Sequence, residues 1–306
     1  MKDEIRGRLA RQLPLDLVLE ILSEQLTGRD LQSVLLEVFG QRAARVTPQR
    51  LLQCYQQDRF VAPARIDPRR RAQLELAAYA HLPKEFEALE LSPLAPLGSC
   101  SGLALVHQNK VVATNRLQEV SADPSNLLAL ESALRRLRGK PAHLAACQRV
   151  VRAQALPPSP GYSAHFCLFA LASAGRRSPG WEVNCLRQHL SFAVRFLSSI
   201  LPSAPLSIRF TDLTRGRFER LFLEHLQFEG VDCRLDPDRP SGRNYYQGCC
   251  FKVWAGDQEV GDGGFVDWSQ KLLSDARESL LISGLGMERL ATFPELRPSN
   301  EADPVG

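Results

Sequence analysis

The stretch Leu280-Leu281-Ile282-Ser283-Gly284-Leu285-Gly286-Met287-Glu288-Arg289-Leu290 limits the folds open to this chain more than any other. It reads as a short apolar strand, two glycines, and a helix opening on Glu288 and Arg289. Glycines let the backbone turn tightly and let a ligand or neighbouring strand come close. Arg289 then sits near a helix start, able to reach over them. A guanidinium there suits a polyphosphate, because it stays charged and can bond two oxygens at once. The same residues also fit a plain strand-to-helix corner carrying a surface arginine.

Size and composition narrow the class. A chain of 306 residues predicts one large domain and a small appendage. A hydrophobic fraction of 44% is that of a soluble globular protein, and no run is long enough to span a bilayer. Met1-Lys2-Asp3-Glu4-Ile5-Arg6 lacks a signal peptide's apolar core, so a cytoplasmic protein is expected. The eight cysteines have no C-x-x-C spacing, and Cys249 and Cys250 are adjacent. They fit reduced thiols in a packed core better than disulfides or zinc ligands, and no residue is assigned to a metal. A net charge of +4 permits a polyanionic partner without requiring one.

Residues 1–62 read as a helical appendage, 63–295 as the main domain and 296–306 as a flexible tail. Leu15, Val18, Leu19, Leu22 and Leu26 repeat at helical spacing. Asp30 is placed as the cap of a helix to about Arg42, and Thr47-Pro48 as a cap with proline at the first helical position. These helices fit a packing appendage better than a helix-turn-helix, since no recognition-helix cluster of Arg, Asn and Gln stands out. Pro63 to Pro68 is a linker, and Asp67-Pro68 starts a helix to about His81. Phe86 to Leu91 reads as a strand. Leu103–Val106 and Lys110–Thr114 read as a hairpin around Gln108-Asn109. Asp123-Pro124 leads into a helix ending at Leu137; an Asp-Pro turn capping that helix is one reading of Asp123. Strands are expected over Leu144–Gln154 and Ala164–Leu171, separated by a proline-rich loop, then a helix over Glu182–Leu201, a strand over Leu206–Asp212 and a helix over Phe218–Gln227. His189 and His225 sit within helices and have no second metal ligand at i+4, so a structural role is expected for both.

G-x-G-x-E-R-L after an apolar strand resembles motif 3 of the class II aminoacyl-tRNA synthetases. The segment from Ser241 to Phe251 resembles R-G-L-D-Y-Y-T-G-x-x-F of histidyl-tRNA synthetase, and Gly263-Gly264-Phe265-Val266-Asp267 resembles its G-G-R-Y-D. The resemblance spans roughly residues 68–293 and implies an α+β fold. In it a six- or seven-stranded antiparallel sheet is flanked by helices, with a helix–strand–proline element like dimer-forming motif 1. The strand–loop–strand around Val151-Arg152-Ala153-Gln154 resembles motif 2, where F-R-x-E opens the loop and the arginine braces the α-phosphate of ATP. Arg116-Leu117-Gln118-Glu119 is a second candidate for that role, but lacks the loop and return strand.

The resemblance implies these sites. Arg152 and Arg289 are catalytic and hold phosphate, and Gln154, Phe166, Phe169 and Glu288 complete the ATP site. Asp123 takes the place of the acid that holds the amino group, with Ser125 beside it. Leu168, Ala172, Tyr245, Tyr246 and Gly264 line the substrate pocket. The cofactors implied are ATP and Mg²⁺. The partners implied are a small amino-acid-like substrate, a second copy of the chain and an acceptor other than tRNA, with room for a protein partner and none for a membrane.

The departures are as informative. In the histidine enzyme the return strand reads roughly F-H-Q-x-G-x-E. The matching positions here are Leu168 and Ala172, both apolar. Losing partners for an imidazole costs on the order of 10⁴-fold in discrimination. The arginine of R-G-L-D-Y-Y falls on Ser241, Asn244 replaces its Asp, and Phe265 replaces the arginine of G-G-R-Y-D. The interval between motifs 2 and 3 is too short for the inserted domain that clasps the acceptor stem, and the stretch after motif 3 is too short for an anticodon-binding domain. Two readings fit these departures: a catalyst that activates an amino acid or small carboxylic acid other than histidine as an adenylate, or a non-catalytic paralogue resembling the regulatory subunit of ATP phosphoribosyltransferase. A nucleic-acid-binding module built on the N-terminal helices is a third.

Overall fold

In a computed structural model, which describes residues 2–155, 163–214, 216–240 and 246–296, side-chain caps fix where five of the helices begin. The helices are α1 (Lys2–Ala10), α2 (Leu15–Glu20), α3 (Gly28–Ala43), α4 (Pro48–Gln57), α5 (Pro68–Ala80), α6 (Ser99–Ala104), α7 (Pro124–Leu137), α8 (Pro179–Ile200), α9 (Arg217–His225), α10 (Trp268–Leu273) and α11 (Met287–Leu290). Thr47, Asp67, Asp123 and Ser178 each accept a hydrogen bond from a first-turn N–H, and each is followed by proline at the start of its helix. At α3 the expected cap is corrected. Thr27, not Asp30, is the N-cap; its hydroxyl accepts from Asp30 N and donates to the Asp30 carboxylate at 2.7 Å, so the two residues close the first turn together.

The strands are β1 (Glu87–Ala88), β2 (Leu94–Pro96), β3 (Gln118–Val120), β4 (Ala142–Val151), β5 (His165–Arg176), β6 (Leu206–Asp212), β7 (Val231–Leu235), β8 (Gln247–Ala255), β9 (Gln258–Val266) and β10 (Glu278–Gly286). Eight form one sheet in the order β1-β4-β5-β10-β9-β8-β6-β7, while β2 and β3 pair separately. The inner six are antiparallel, as expected, but β1 and β7 add a parallel strand at each edge. The strand expected over Phe86–Leu91 shrinks to β1. The expected hairpin around Gln108-Asn109 is absent; α6 and a 3₁₀ turn over Gln108–Lys110 stand there instead. The cause is the Glu119 carboxylate, 1% exposed, which accepts from Gly98 N, Cys100 N and Gln108 Nε2. Gly98, at φ 88°, supplies the left-handed backbone that begins α6. Glu119 therefore has a structural duty, which removes the second candidate for the phosphate-bracing element.

Alternation along β5 builds the two core layers. Cys167, Phe169 and Leu171 pack on one face with α5 and α8, while Ala170, Ala172 and Ala174 lie on the other beside Leu128 and Ala129 of α7. Those small residues let α7 settle close against the sheet. His189 is buried on the α8 side between Ser173 Oγ (2.9 Å) and Ser283 Oγ (2.8 Å), the structural role expected of it. In α2, α3 and α4 no residue is buried. The segment after α4 is tied to the sheet. Arg59 Nη2 donates to Ala153 O and Gln154 O, and Ala62 O lies 2.6 Å from His165 Nε2. Among the described residues no helix is long and apolar enough to cross a membrane.

Candidate nucleotide and substrate site

Where α7 ends its cover of the sheet, a cavity of about 390 Å³ opens over β5, β10 and β9. Arg152 and Arg289 both line it, although 137 positions separate them along the chain (289 − 152). Arg152 leaves the end of β4, where its N–H pairs with Ala164 O at 2.8 Å. Its guanidinium donates to Ala122 O and to Asp123 Oδ2, both at 2.9 Å, and lies 5.1 Å above the Phe166 ring. Arg289 is in α11, directly beyond β10, and donates to Glu259 O at 3.0 Å. Gly284 and Gly286 line the cavity between them. They do so without turning the chain: Gly286 has φ −83°, and neither is among the glycines with positive φ. Their contribution is room above the strand, which corrects the expected tight turn.

Gln154, Phe166, Asp123, Ser125, Leu168, Tyr246 and Glu288 also line this cavity. Asp123 joins the two readings of its residue. Its Oδ1 accepts from Ser125 N and Ser125 Oγ, capping α7, while its Oδ2 holds Arg152. Glu288 is 7% exposed; its Oε2 accepts from Cys167 N at 2.6 Å and its Oε1 lies 3.2 Å from Arg149 Nη2. Burial pushes the Glu288 carboxyl above its ordinary range, against the pull of that N–H and of Arg149.

Three expected site residues fall elsewhere. Phe169 is on the opposite face of the sheet, 1% exposed, stacked on Phe192 at 5.3 Å and edge-on to Tyr79. Odd positions of β5 face the helical layer, so Phe166 and Phe169 cannot share a site. Ala172 is fully buried in the layer that α7 covers. Gly264 is a packing glycine. A Cβ there would come within 2.7 Å of Cys249 O and 2.7 Å of Tyr246 Cδ1. Tyr245, Ser241 and Asn244 lie outside the described residues.

Asp262, Glu259, Lys110 and Cys100 line the cavity without having been singled out. For Asp262 a signal existed. In Gly261-Asp262-Gly263-Gly264 it carries the one side chain, and period-two alternation puts it on the face of Gly264. Its Oδ2 receives the Tyr246 hydroxyl at 3.2 Å and lies 3.5 Å from Arg239 Nη2. Arg239 is 2% exposed and lies over the Tyr246 ring. The Asp262 side chain keeps 46% of its surface open, yet it opens into a cavity rather than onto bulk solvent. That depth pushes its carboxyl up despite Arg239.

No family model matches the sequence, and no curated protein sequence matches it. Solved structures do. A Bacillus halodurans protein described as an ATP phosphoribosyltransferase regulatory subunit/histidyl-tRNA synthetase superposes with a TM-score of 0.57 at 10% identity, over 75% of this chain and 80% of that one. A histidine–tRNA ligase subunit from Alicyclobacillus acidocaldarius gives 0.56 at 10% identity, over 75% and 94%. Apo Staphylococcus aureus histidyl-tRNA synthetase gives 0.54 at 14% identity, over 74% and 67%. Paired arginines on a cavity over an antiparallel sheet, the strand–glycine–helix corner and these superpositions agree: the chain has the class II aminoacyl-tRNA synthetase-like fold, of the kind found in histidyl-tRNA synthetase and the ATP phosphoribosyltransferase regulatory subunit.

Proposed function

We propose that this protein binds ATP with Mg²⁺ and activates an amino acid or small carboxylic acid, other than histidine, as an adenylate for an acceptor other than tRNA. The observation that supports this most is that Arg152 and Arg289 line one cavity with Gln154 and Phe166. The triphosphate lies between the two guanidiniums, with the adenine against Phe166 and Gln154. An oxygen of the substrate carboxylate attacks the α-phosphorus. The bond from that phosphorus to the α,β-bridging oxygen breaks, and pyrophosphate leaves with its electron pair. Arg152, already placed, offsets the charge that gathers on the α-phosphoryl oxygens. Mg²⁺ would enter with the triphosphate and supply charge neutralisation there, and Glu259 and Glu288, two of the four carboxylates that line the cavity beside Asp123 and Asp262, would be the residues to hold it.

Histidine is disfavoured because Leu168 presents an apolar group to the cavity and Ala172 does not reach it. Residues 1–62 act as an appendage that positions the base of the strand–loop–strand through Arg59, and the core pairs with a second copy in the cytoplasm. A second reading, a nucleotide-binding regulator without catalysis, draws support from Asp123, which holds the Arg152 guanidinium, and from Ser241 in place of the arginine of the resembling motif. Amino-acid-dependent pyrophosphate exchange with the purified chain, across all twenty amino acids, tests the two. Exchange with any of them is the result expected of the catalyst. Silence together with protection by ATP leaves the regulator.

A further inference from the structure

Three hydrogen bonds string four side chains from one end of β4 to the floor of the cavity. His143 and Ser173 stand directly opposite each other on β4 and β5, with His143 Nδ1 2.9 Å from Ser173 Oγ. Ser173 Oγ lies 2.9 Å from His189 Nε2 on α8, and His189 Nδ1 lies 2.8 Å from Ser283 Oγ on β10. His143 is partly exposed, Ser173 and His189 are buried, and Ser283 lines the cavity. Phe86 stands edge-on to both imidazoles, at 5.4 and 5.5 Å, and holds their planes. Ser283 also lines a void of about 10 Å³ with His189, Asp262 and Gly284. Asp262 and Gly284 line the cavity too, so the two spaces share these walls.

A serine hydroxyl has one proton, and a neutral imidazole has one N–H and one bare nitrogen. The chain therefore runs in one of two directions. In the first, Ser283 donates to His189 Nδ1, His189 Nε2–H to Ser173, and Ser173 to His143 Nδ1. In the second, His143 Nδ1–H donates to Ser173, Ser173 to His189 Nε2, and His189 Nδ1–H to Ser283, whose own proton is then free to bond elsewhere. A neutral His143 is compatible with both. A charged His143 carries protons on both nitrogens and is compatible with the second alone. His189 does not intercept the charge, because burial holds its imidazole down to about 3. Among the described residues, Glu85 faces His143 from the segment before β1, and burial outweighs it and lowers His143 below its ordinary range. The Cys185 thiol of α8 bonds Ser173, with Glu182 acting on it; burial pushes that thiol up to about 12, so it keeps its proton and fills a Ser173 lone pair in either direction.

We infer that these four residues form a pH-sensitive relay: a proton taken up by His143, outside the cavity, locks the chain in its second direction and frees the Ser283 hydroxyl to donate at the cavity floor. With His143 neutral the chain runs in the first direction, and His189 engages that hydroxyl. The hydrogen-bonding sense of the floor is thus set by a histidine on another part of the fold. This goes beyond the adenylate-forming reading and holds whatever ligand the cavity takes.

The test is nuclear magnetic resonance on the full chain with nitrogen-15-labelled histidine, from about pH 8 to about pH 5.5. Ring-nitrogen shifts report which nitrogen of His189 holds the proton. A charged donor at His143 demands its acceptor, so the ratio of Nδ1–H to Nε2–H forms at His189 is expected to rise about 10- to 100-fold as His143 gains its charge, with a shared midpoint. Ser173→Ala cuts the chain: His143 still titrates, and His189 no longer follows. His143→Phe, which keeps a ring beside Phe86, is the second cut and is expected to hold the His189 ratio constant across the range. Melting establishes that each variant is folded, and His143→Phe decides the matter should Ser173→Ala not fold. A constant His189 ratio in the wild-type chain overturns the inference. So does a ratio that follows pH equally in either variant, or a His189 that takes up its own charge in this range. No nucleotide enters the measurement, so failure here leaves the adenylate-forming reading standing, and failure of that reading leaves the relay standing.

Discussion

Replacing Asp123 by asparagine separates two duties that the wild-type carboxylate performs together. Asparagine caps a helix about as well as aspartate, so the bond from Ser125 N survives and α7 begins where it did. The ion pair to Arg152 does not survive. Its two side chains are 31% and 30% exposed, which places its worth near the upper end for surface pairs, about 0.5–1 kcal/mol. The chain is thus destabilised by about that much, measured by denaturant unfolding. Asp123→Ala removes the cap as well, adding about 1 kcal/mol. The effect on ATP runs the other way. A nucleotide phosphate must displace Asp123 from Arg152, so freeing the guanidinium raises the affinity for ATP·Mg²⁺ by about 2- to 5-fold, the same energy read as an equilibrium constant. Calorimetric titration measures this, and the control is a double-mutant cycle. In an Arg152→Ala background, Asp123→Asn is expected to leave ATP affinity unchanged. An affinity that falls in the single variant, or a gain that persists without Arg152, refutes the argument that this pair guards a phosphate ligand.

Two structural predictions accompany it. Burial holds the His189 imidazole from its ordinary 6.5 down to about 3. The folded chain therefore refuses a proton that the unfolded chain accepts, and stability present above pH 6.5 is lost as the pH falls towards 3. Between pH 6.5 and 5 the loss is about 2 kcal/mol. His189→Asn is expected to flatten that part of the profile; an unchanged slope in equilibrium unfolding contradicts it. Gly264→Ala forces a Cβ to within 2.7 Å of Cys249 O and Tyr246 Cδ1, so it costs about 1–3 kcal/mol by overpacking. A melting temperature within a degree of wild type would show that the strands yield there.

The sequence made the inner sheet and the poles of the site legible because both rest on local chemistry. Proline after Thr47, Asp67 and Asp123 marks helix starts wherever the chain is read, and Gly284-Leu285-Gly286 has little choice but to end a strand beside a helix, whereas the same signal at Ser178-Pro179 opens a helix expected only from Glu182. The features that could not be read depended on distant partners. Residues 103–114 read locally as a hairpin around Gln108-Asn109, but Glu119 draws Gly98 N and Cys100 N into a helical turn. Phe169 carries the ring an adenine site asks for, but period-two alternation from Phe166 turns it to the opposite face, against Phe192. Arg239 reaches Asp262 from beyond β7, and no spacing along the chain announces that contact.

The central claim is that Arg152 and Arg289 hold one triphosphate between them. Its most direct test is thermal melting of the full chain with and without ATP·Mg²⁺, in the wild type, Arg289→Ala and Arg152→Ala. ATP is expected to raise the wild-type melting temperature, and either substitution is expected to abolish the rise while leaving the unliganded protein folded. A rise that persists undiminished in Arg289→Ala, or a wild-type chain indifferent to ATP, contradicts the account.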